Sequence, residues 1–382
     1  MTMTNAGYIS SETAEEFNDK KDHSLTAEEN WSELPHLLLW MIMEHLDFVD
    51  NLRLAAVCHN WSFAFANCPK KLQSAGDTLP WVMYPRNSER SKLVFISVSK
   101  KEKYTIKLPN FFNGTKSIYS KQGWLLLQRR NGLRWFKDSL QRIKAERLPD
   151  SVFLYNPFTK TELEMPDIVK PKDPYAGSFS TFDGYPHYVV LLEYNDPTQI
   201  TLQIAKPGDK AWVKYSYNGQ SMPYSGFGGL HVLGVHVYCF SATGGMIIFN
   251  MRDQTWTELP DLASRFELSY MGEHEGEVVI LQVRNLSSFR FFRLNNAQNA
   301  WEELNINEVK NLNWFLGRYT CFSAKSFGMK IYHLYGELEP NDRLFYLNDQ
   351  SCGVDVIDMM DGNTQNLIPY VLPSTATWVH MA

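Results

Sequence analysis

Apolar residues follow two different periods along the chain, and the change falls near residue 80. Between Trp31 and about Leu72 the spacing is helical, with steps of four at Leu34, Leu38, Ile42 and Leu46. Pro35 is expected in the first turn of this helix, where a backbone N–H is not needed. Asp50 is expected as the N-cap of a second helix that begins near Asn51. The pattern predicts a small all-α module over residues 28–75.

A module of two or three short helices is marginal by itself, because so short a chain buries too small a fraction of its surface on folding. We therefore expect it to pack against a partner. Residues 1–27 precede it and are polar and acidic, with almost no branched apolar side chains. Such a composition does not offset the entropy lost on ordering, so we predict a disordered acidic tail over 1–27.

From Trp81 onward the chain consists of short runs rich in β-branched and aromatic residues, separated by Gly, Pro, Asn and Asp. These runs predict strands, as in LVFISV (93–98), YVVLLEY (188–194), HVYCF (236–240), EVVILQV (277–283) and KIYHLYG (330–336). Several short strands at regular spacing indicate an all-β sandwich, barrel or propeller. The choice depends on whether the pattern repeats.

One pattern does repeat: a strand, a polar turn and a second strand, at 96–110, 153–167, around Trp212, 247–261, 292–306 and 356–370. Trp212, Trp256 and Trp301 stand 44 and 45 residues apart in this setting. A four-stranded propeller blade takes about 40 to 50 residues and packs large aromatics between neighbouring blades, whereas a sandwich has no such period. We predict a six-bladed β-propeller over 79–382, with seven blades as the alternative if the last wide gap holds a degenerate copy.

Composition narrows the classes of partner. Apolar residues make up 44% and charged residues 21%, which is ordinary for a globular protein, while 14% of aromatic residues is high. The net charge of −5 arises in residues 1–30, which hold seven acids and two lysines, so the remainder has no overall field that attracts nucleic acid. The longest apolar run, from Leu37 to Met43, is too short to cross a bilayer. We expect neither nucleic acid nor a membrane as partner.

The cellular compartment follows from the first residues and the cysteines. The N-terminus carries acids and hydroxyls where a signal peptide has a basic start and an apolar stretch. The five cysteines form no CxxC pair and are scattered, as is typical of reduced thiols, at Cys58, Cys68, Cys239, Cys321 and Cys352. We expect a cytoplasmic or nuclear location, or both.

The segment WSELPHLLLWMIMEHLDFVDNLRLAAVCHNW (31–61) resembles an F-box. Ten positions stand at that family's spacing without a gap: Leu34, Pro35, Leu38, Leu39, Ile42, Leu46, Leu52, Val57, Cys58 and Trp61. The resemblance implies that the helices dock on a Skp-type adaptor, which joins them to a cullin scaffold and its ubiquitin-transfer machinery. These ten are then the expected adaptor-binding residues, with apolar anchors in pockets. The alternative is that they form only the module's own core. His59 and Ser62 stand where the family more often has basic residues.

The segment FNMRDQTWTELPDL (249–262) resembles the end of a kelch repeat and follows a double glycine, Gly244-Gly245, which the other copies lack. As a whole, an F-box followed by a degenerate, kelch-like aromatic propeller is similar to the large plant group of F-box proteins whose C-terminal propeller was catalogued as a domain of unknown function. In that group the propeller is expected to bind a target protein. The resemblance does not imply which target, and the target-binding residues stay unassigned.

One basic segment, QRRNGLRWFKDSLQRIKAER (128–147), holds seven Lys and Arg against two acids and lies in the gap between the first two repeats. Such runs are usually solvated faces of an inserted loop or helix. The functional alternative is that they face an acidic partner, through Arg129, Arg130, Arg134, Arg142 and Lys144.

No pattern along the chain predicts catalysis, a metal or a cofactor. The glycines of SGFGGLHVLG (225–234) imitate a phosphate-binding pattern, but no helix follows them, which favours a blade turn. His231 and His236 lie on opposite faces if one strand is continuous, so they do not share a metal. His274 stands between two glutamates without a zinc-ligand pattern, which favours a polar turn.

Three hypotheses remain. The leading one is a non-catalytic substrate receptor of a ubiquitin ligase, which works by holding its target close to the transfer machinery. The second is a propeller enzyme or small-ligand sensor that uses the central channel, which a convergent cluster of acids or histidines at the channel mouth would favour. The third is an F-box protein that binds the adaptor without supporting ubiquitination.

Overall fold

The computed structural model describes residues 31–46, 48–68, 79–85, 92–107, 115–129, 133–137, 142–147, 150–157, 159–168, 176–196, 199–217, 227–241, 244–260, 262, 268–285, 288–295, 298–317, 321–325, 329–335, 353–359, 364–368 and 376–379. The predicted tail over 1–27 lies outside these residues. Within them, no helix is both long enough and apolar enough to span a bilayer.

The helical module begins with a 3₁₀ turn, Trp31–Glu33, followed by α1 (His36–His45), α2 (Phe48–Ala55) and α3 (His59–Ala66). α1 begins directly after Pro35, which has the φ of −57° that its ring imposes and sits at the N-cap. α2 begins at Phe48, so the prediction that Asp50 caps it is wrong. Asp50 lies in the first turn instead, where its carboxylate favours the positive end of the helix dipole and pairs with Arg53 at 2.8 Å.

The strands begin at Trp81. The first sheet contains β1 (Trp81–Pro85), β2 (Lys92–Ser97), β3 (Lys103–Lys107) and, beside β1, the last strand of the chain, β27 (Thr377–Val379). The second sheet contains β4 (Thr115–Lys121), β5 (Trp124–Arg129), β8 (Ser151–Asn156) and β9 (Thr161–Glu164). A separate hairpin of β6 (Leu133–Lys137) and β7 (Ile143–Arg147) stands between β5 and β8 in the chain.

Two further four-stranded antiparallel sheets follow in strict chain order. The third contains β10 (Ala176–Phe182), β11 (Tyr185–Asp196), β12 (Gln199–Ala205) and β13 (Val213–Tyr217). The fourth contains β14 (Phe227–Leu233), β15 (His236–Ser241), β16 (Met246–Asn250) and β17 (Thr255–Leu259). All neighbours within these two sheets are joined by antiparallel ladders.

The remaining strands form one nine-stranded sheet. Its first half is a meander of β18 (Leu268–His274), β19 (Glu277–Asn285), β20 (Ser288–Asn295) and β21 (Ala300–Glu303). After a short helix, α4 (Ile306–Val309), its second half contains β22 (Leu312–Leu316), β23 (Cys321–Lys325), β24 (Lys330–Tyr335), β25 (Gly353–Asp358) and β26 (Thr364–Ile368). One parallel bridge, between Glu273 and Phe322, joins the two halves.

The burial of the strands explains their sequence pattern. Inner strands such as β2 and β15 are buried at five consecutive positions, because each of their faces packs against a neighbouring sheet. Outer strands such as β9 and β13 alternate between partly buried and exposed residues. The core is accordingly a series of apolar clusters between successive sheets, for example around Phe179 between the second and third.

The first strands of the second to fifth sheets, β4, β10, β14 and β18, contact one another in chain order, and β27 of the first sheet contacts β4. The end of the chain closes this series. Trp378, on β27, is fully buried, packs edge-on against Phe315 at 5.4 Å and donates a hydrogen bond to the carbonyl of Leu316, on β22. The backbone carbonyl of Trp378 in turn accepts a hydrogen bond from Ser120, on β4.

Glycines allow the first strands to approach closely. A Cβ at Gly272 would lie 2.4 Å from the carbonyl oxygen of Cys321, and one at Gly177 would lie 2.8 Å from Ile118. Any larger residue therefore forces neighbouring backbone or packed side chains to shift. The bridge between β18 and β23 exists because position 272 has no side chain.

The repeat read from the sequence corresponds to the last two strands of successive units: β2–β3, β8–β9, β12–β13, β16–β17, β20–β21 and β25–β26. The expected aromatic packing between sheets is confirmed at Trp256, whose ring lies 4.6 Å from Phe249 on its own sheet and 5.2 Å from Tyr217 on the preceding one. Trp212 donates a hydrogen bond to the carbonyl of Pro166, at the end of the preceding sheet.

Three local expectations change. Where the structure describes the basic segment 128–147, most of it is strand, in β5 and in the hairpin of β6 and β7. His231 and His236 do not share one strand, because a turn separates β14 from β15 and places His231 opposite Tyr238. Gly229 is not in a turn: it lies within β14 beside a register shift, next to Met271.

Candidate functional site

The helical module has a small core of its own. Leu39 and Met43 of α1 pack with Leu54, Ala64 and Cys68, and all five are buried. Partly buried residues close the edge of this cluster: Leu34, Trp40, Leu46, Trp61 and Phe65. The one-sided spacing of Leu39 and Met43 explains why α1 turns this face inward.

Side-chain hydrogen bonds fix the module's geometry. Asn51 donates to the carbonyls of Met43 and Leu46, at 3.0 and 3.3 Å, and so satisfies the end of α1. Asn60, on α3, donates to the carbonyls of Ser32 and Leu34 at 3.0 and 3.1 Å, and thereby holds the segment that leads into α1. Trp40 and Trp61 add indole donors to the carbonyls of Ala64 and Trp31.

The opposite side of α1 exposes apolar residues to solvent. Leu37, Leu38, Met41 and Ile42 are 66%, 44%, 55% and 39% exposed, and we call these four residues the α1 face. Positions 37 and 41, and 38 and 42, are one helical turn apart, so the four form a continuous stripe. Val57, between α2 and α3, is also exposed, at 61%. So much apolar surface on so small a module is typical of a protein-binding site.

The ten predicted adaptor-binding residues divide by burial. Pro35, Leu38, Ile42 and Val57 are exposed, and Leu34, Leu46, Cys58 and Trp61 are partly buried. Leu39 is 0% exposed and belongs to the module's core, so it supports the surface without forming it. The side chain of Leu52 lies outside the described residues.

Sequence reasoning missed two kinds of residue here. Leu37 and Met41 belong to the α1 face. They are four residues apart, so the helical spacing also predicts that they share one side of α1. Asn51 and Asn60 position the helices, but an asparagine within a short helix carries no sequence pattern that separates this role from simple exposure.

A second site lies where the first strands of the β domain converge. Lys121, on β4, contacts the Glu273 carboxylate of β18 at 2.5 Å. The same carboxylate lies 3.3 Å from His231 Nε2, on β14, and the other ring nitrogen of His231 lies 3.2 Å from the Tyr119 hydroxyl. We call Tyr119, Lys121, His231 and Glu273 the axial cluster. It joins three sheets through side chains that are far apart in sequence.

The electrostatics of the axial cluster follow from its burial. Burial lowers the pKa of His231, although the hydrogen bond to Glu273 opposes this shift. Burial by itself would raise the pKa of Glu273, but the hydrogen bond to His231 and the charge of Lys121 outweigh it and lower that pKa to about 2. Burial also raises the pKa of the Tyr119 hydroxyl. At neutral pH the cluster is therefore an ion pair hydrogen-bonded to a neutral histidine.

Sequence reasoning did not foresee this convergence, because it depends on which strands meet. His274 adds a hydrogen bond to Ser323, on β23, at 2.7 Å. Across the described part of the chain, no group of three or more His, Cys, Asp or Glu residues is arranged to hold a metal ion. The carboxylate that stays ionised beside a lysine is suited to holding strands together or accepting a ligand's hydrogen bond, not to donating a proton at neutral pH.

Comparisons with known proteins agree with both parts of the chain. Residues 31–73 match the F-box domain, and residues 95–361 match the KIB1-4 beta-propeller. One F-box/kelch-repeat protein of Arabidopsis thaliana is 26% identical over 301 residues, and the alignment covers 77% of this chain and 78% of that protein. Another is 24% identical over 294 residues, covering 72% and 71%, and an F-box protein of the same plant is 24% identical over 281 residues, covering 71% and 54%.

Three helices with an exposed apolar stripe, followed by successive four-stranded sheets, define with these matches an F-box protein of the plant type with a C-terminal β-propeller. The chain belongs to the KIB1-4 β-propeller family. The resemblance inferred from the sequence is thereby confirmed.

Proposed function

We propose that this chain is the substrate-recognition subunit of a Skp-adaptor, cullin and F-box ubiquitin ligase. The F-box binds the adaptor and through it the cullin scaffold, and the propeller binds a target protein. The observation that carries this proposal is the α1 face, because four neighbouring apolar side chains of an F-box helix are left in contact with water. Their removal from water on binding supplies the driving force for association.

The role requires no catalytic residue in the chain. A receptor raises the effective concentration of its target beside the ubiquitin donor, and this depends on two binding surfaces held at a fixed geometry. We place the direct adaptor contacts at Pro35, Leu38, Ile42 and Val57, and add Leu37 and Met41 to them. Leu39 acts through the module's core.

We further propose six blades for the propeller. The nine-stranded sheet divides at the bridge between Glu273 and Phe322 into β18–β21 and β22–β26, which gives two blades in addition to the four separate sheets. Six copies of the sequence repeat, one at the end of each unit, support the same number. We keep 28–75 and 79–382 as the limits of the F-box module and the propeller.

Co-purification of the full chain with a Skp-type adaptor tests the proposal. The double variant Leu38→Ser/Ile42→Ser removes the centre of the α1 face, and we expect the affinity for the adaptor to fall at least about thirtyfold. The control is Val213→Ser/Ile306→Ser, which changes two side chains of equal exposure, 53%, in the β domain. The control should bind like the wild type, and circular dichroism should be the same for all three proteins.

Two results would overturn the adaptor-binding role: a wild-type chain that fails to bind where a known F-box protein binds, or a double variant that binds as well as the control. Reconstitution with the cullin and the ubiquitin-transfer enzymes then separates a ligase receptor from an F-box protein that acts without ubiquitination. Ubiquitin chains on the bound target or on the receptor itself support the first.

A small-ligand sensor is a second candidate, supported by the axial cluster, which brings a histidine, a carboxylate and an ammonium group together between sheets. These groups are already paired with one another, so a ligand must displace Lys121 from Glu273. A screen of small carboxylic acids and amines should then raise the melting temperature of the wild type but not of Glu273→Gln. The absence of any such rise above about 1 °C removes this candidate.

A further inference from the structure

Four tight turns in successive sheets lie on one face of the propeller. Each joins the first strand of a sheet to its second, and we call residues 121–124, 182–185, 233–236 and 274–277 the turn face. Gln122-Gly123, Asp183-Gly184 and Glu275-Gly276 have positive φ at both turn positions, as two-residue hairpin turns require. The turns are short and their backbone conformation is fixed.

Contacts between the turns show that they share this face. The indole of Trp124 donates a hydrogen bond to the carbonyl of Gly184 at 3.1 Å, which joins the first turn to the second. Lys121 and His231 both contact Glu273, so the ends of β4 and β14 meet the end of β18. The turns therefore surround the place where the first strands converge.

An exposed aromatic pair stands on the second turn. Phe182 is 75% and Tyr185 65% exposed, and the two face each other across the hairpin. Among the large apolar side chains that the structure describes, none is more exposed than Phe182. The buried Trp124 ring lies 6.0 Å from that of Tyr185 and holds the turn from below. Rigid, exposed aromatics of this kind are the usual anchors of protein interfaces, because little freedom is lost on binding.

The same face is acidic. It contains three carboxylates, those of Asp183, Glu275 and Glu277, and one lysine, Lys121, which is paired with Glu273 of β18. Arg293, on β20, lies 3.6 Å from Glu277. The carboxylates thus outnumber the cations, and Asp183 stands between the two exposed aromatic residues. Such a surface attracts cations and repels phosphate backbones and anionic lipid.

We propose that the turn face is the target-binding surface of the propeller and that it takes a basic segment of the target protein. This inference rests on the proposed receptor function and names the partner's chemistry. Lysine and arginine side chains of this segment lie over the rings of Phe182 and Tyr185, and others donate charge-assisted hydrogen bonds to Asp183 and to Glu275. The fixed turns present both kinds of contact without rearrangement.

A peptide selection tests this inference. The full chain is the bait for a displayed library of random 12-residue peptides, with counter-selection against the variant Phe182→Ser/Tyr185→Ser. We expect the enriched peptides to be rich in lysine and arginine. The most enriched peptide is then synthesised with a fluorescent label and titrated by anisotropy against each variant at two salt concentrations.

The variants separate the aromatic and the electrostatic contributions. Phe182→Ser/Tyr185→Ser should weaken the labelled peptide about thirtyfold, as loss of an interface anchor does. Asp183→Asn/Glu275→Gln should weaken it three- to tenfold or so and reduce the dependence of its affinity on salt. The matched control, Glu164→Gln/Val213→Ser, changes an exposed acid and an exposed apolar residue on outer strands and should have no effect.

Enriched peptides that are acidic or purely apolar would overturn the inference, and so would the absence of enrichment over the counter-selected variant. Equal peptide binding by the control and by Phe182→Ser/Tyr185→Ser would do the same. Adaptor binding is measured on the same preparations. Adaptor binding without peptide binding rejects only the turn face, whereas peptide binding without adaptor binding rejects the receptor function and leaves the surface intact.

Discussion

The helical module and the β domain use apolar residues in opposite ways. In the β domain the large apolar side chains fill the spaces between successive sheets, and Trp314, Trp378, Phe179 and Phe240 are wholly buried. In the helical module α1 buries two residues and leaves four apolar residues of the opposite side in water. The β domain thus buries nearly all its large apolar side chains and exposes a few, such as Phe182 and Tyr185, whereas the helical module leaves one whole side of α1 apolar and exposed.

The largest expected effect is on the closure of the β domain. Trp378→Ala should lower the free energy of unfolding by about 3–5 kcal/mol, because it leaves a cavity between the first and last sheets and removes a hydrogen bond. Denaturant unfolding followed by circular dichroism measures this loss. Val213→Ala, at an exposed position, should change the value by less than about 0.5 kcal/mol. A loss below about 1 kcal/mol for Trp378→Ala would contradict a self-contained β domain.

The two sides of α1 give the next contrast. Leu39→Ala should destabilise the helical module by about 2–5 kcal/mol, since the side chain is fully buried in its core. Leu37→Ser, two residues away on the exposed side, should change stability by less than about 0.5 kcal/mol and still weaken adaptor binding. Hydrogen exchange of the α1 amides reports the first effect and adaptor titration the second. Similar stability losses for both variants would show that the α1 face is not a free surface.

Acid should act on the β domain through the axial cluster. The pKa of Glu273 is lowered to about 2 in the fold, so the ionised carboxylate stabilises the folded state above its ordinary pKa and this contribution is lost as the pH falls towards 2. The lowered pKa of His231 also makes the folded state less stable as the pH falls, because the His231 side chain binds a proton more readily in the unfolded chain than in the folded one. Glu273→Gln should lower the melting temperature at pH 7, by an amount equivalent to about 2–3 kcal/mol.

The difference in melting temperature between the wild type and Glu273→Gln should shrink between pH 5 and pH 3 or so, since most of the wild-type advantage disappears there. Melting curves at steps of pH measure it. A difference that is independent of pH would show that the glutamate acts through packing and not through its charge.

The smallest effect is expected at an exposed ion pair of the same domain. Arg290 pairs with Glu303 through two hydrogen bonds, but their side chains are 36% and 47% exposed. Glu303→Gln should therefore change stability by less than about 1 kcal/mol, and added salt should remove even that. Denaturant unfolding at low and high salt tests this. A loss of stability as large as that of Glu273→Gln would mean that the greater burial of the Lys121–Glu273 pair does not make it the stronger of the two ion pairs.

The class of each region could be predicted from patterns along the chain. The four-residue spacing from Leu34 to Leu46 predicted the first helix, and the positions shared with the F-box family predicted its role. The recurrence of Trp212, Trp256 and Trp301 predicted the repeat, because each of these tryptophans lies in or beside an outer strand and contacts the preceding sheet. Such periodic patterns are visible in a sequence because the same contact recurs at the same interval.

Contacts between residues far apart in sequence depend instead on how the elements pack. Because α1 is almost wholly apolar, its sequence does not indicate which side is buried. Packing against Leu54 and Ala64 places Leu39 in the core and leaves Leu37 exposed. Lys121 and Glu273 are 152 residues apart, and they pair only because the first strands of their sheets converge. The short hairpin turns carry their own sequence pattern, but their gathering on one face, with Phe182 and Tyr185 exposed among acids, is set by how the sheets are arranged around the axis.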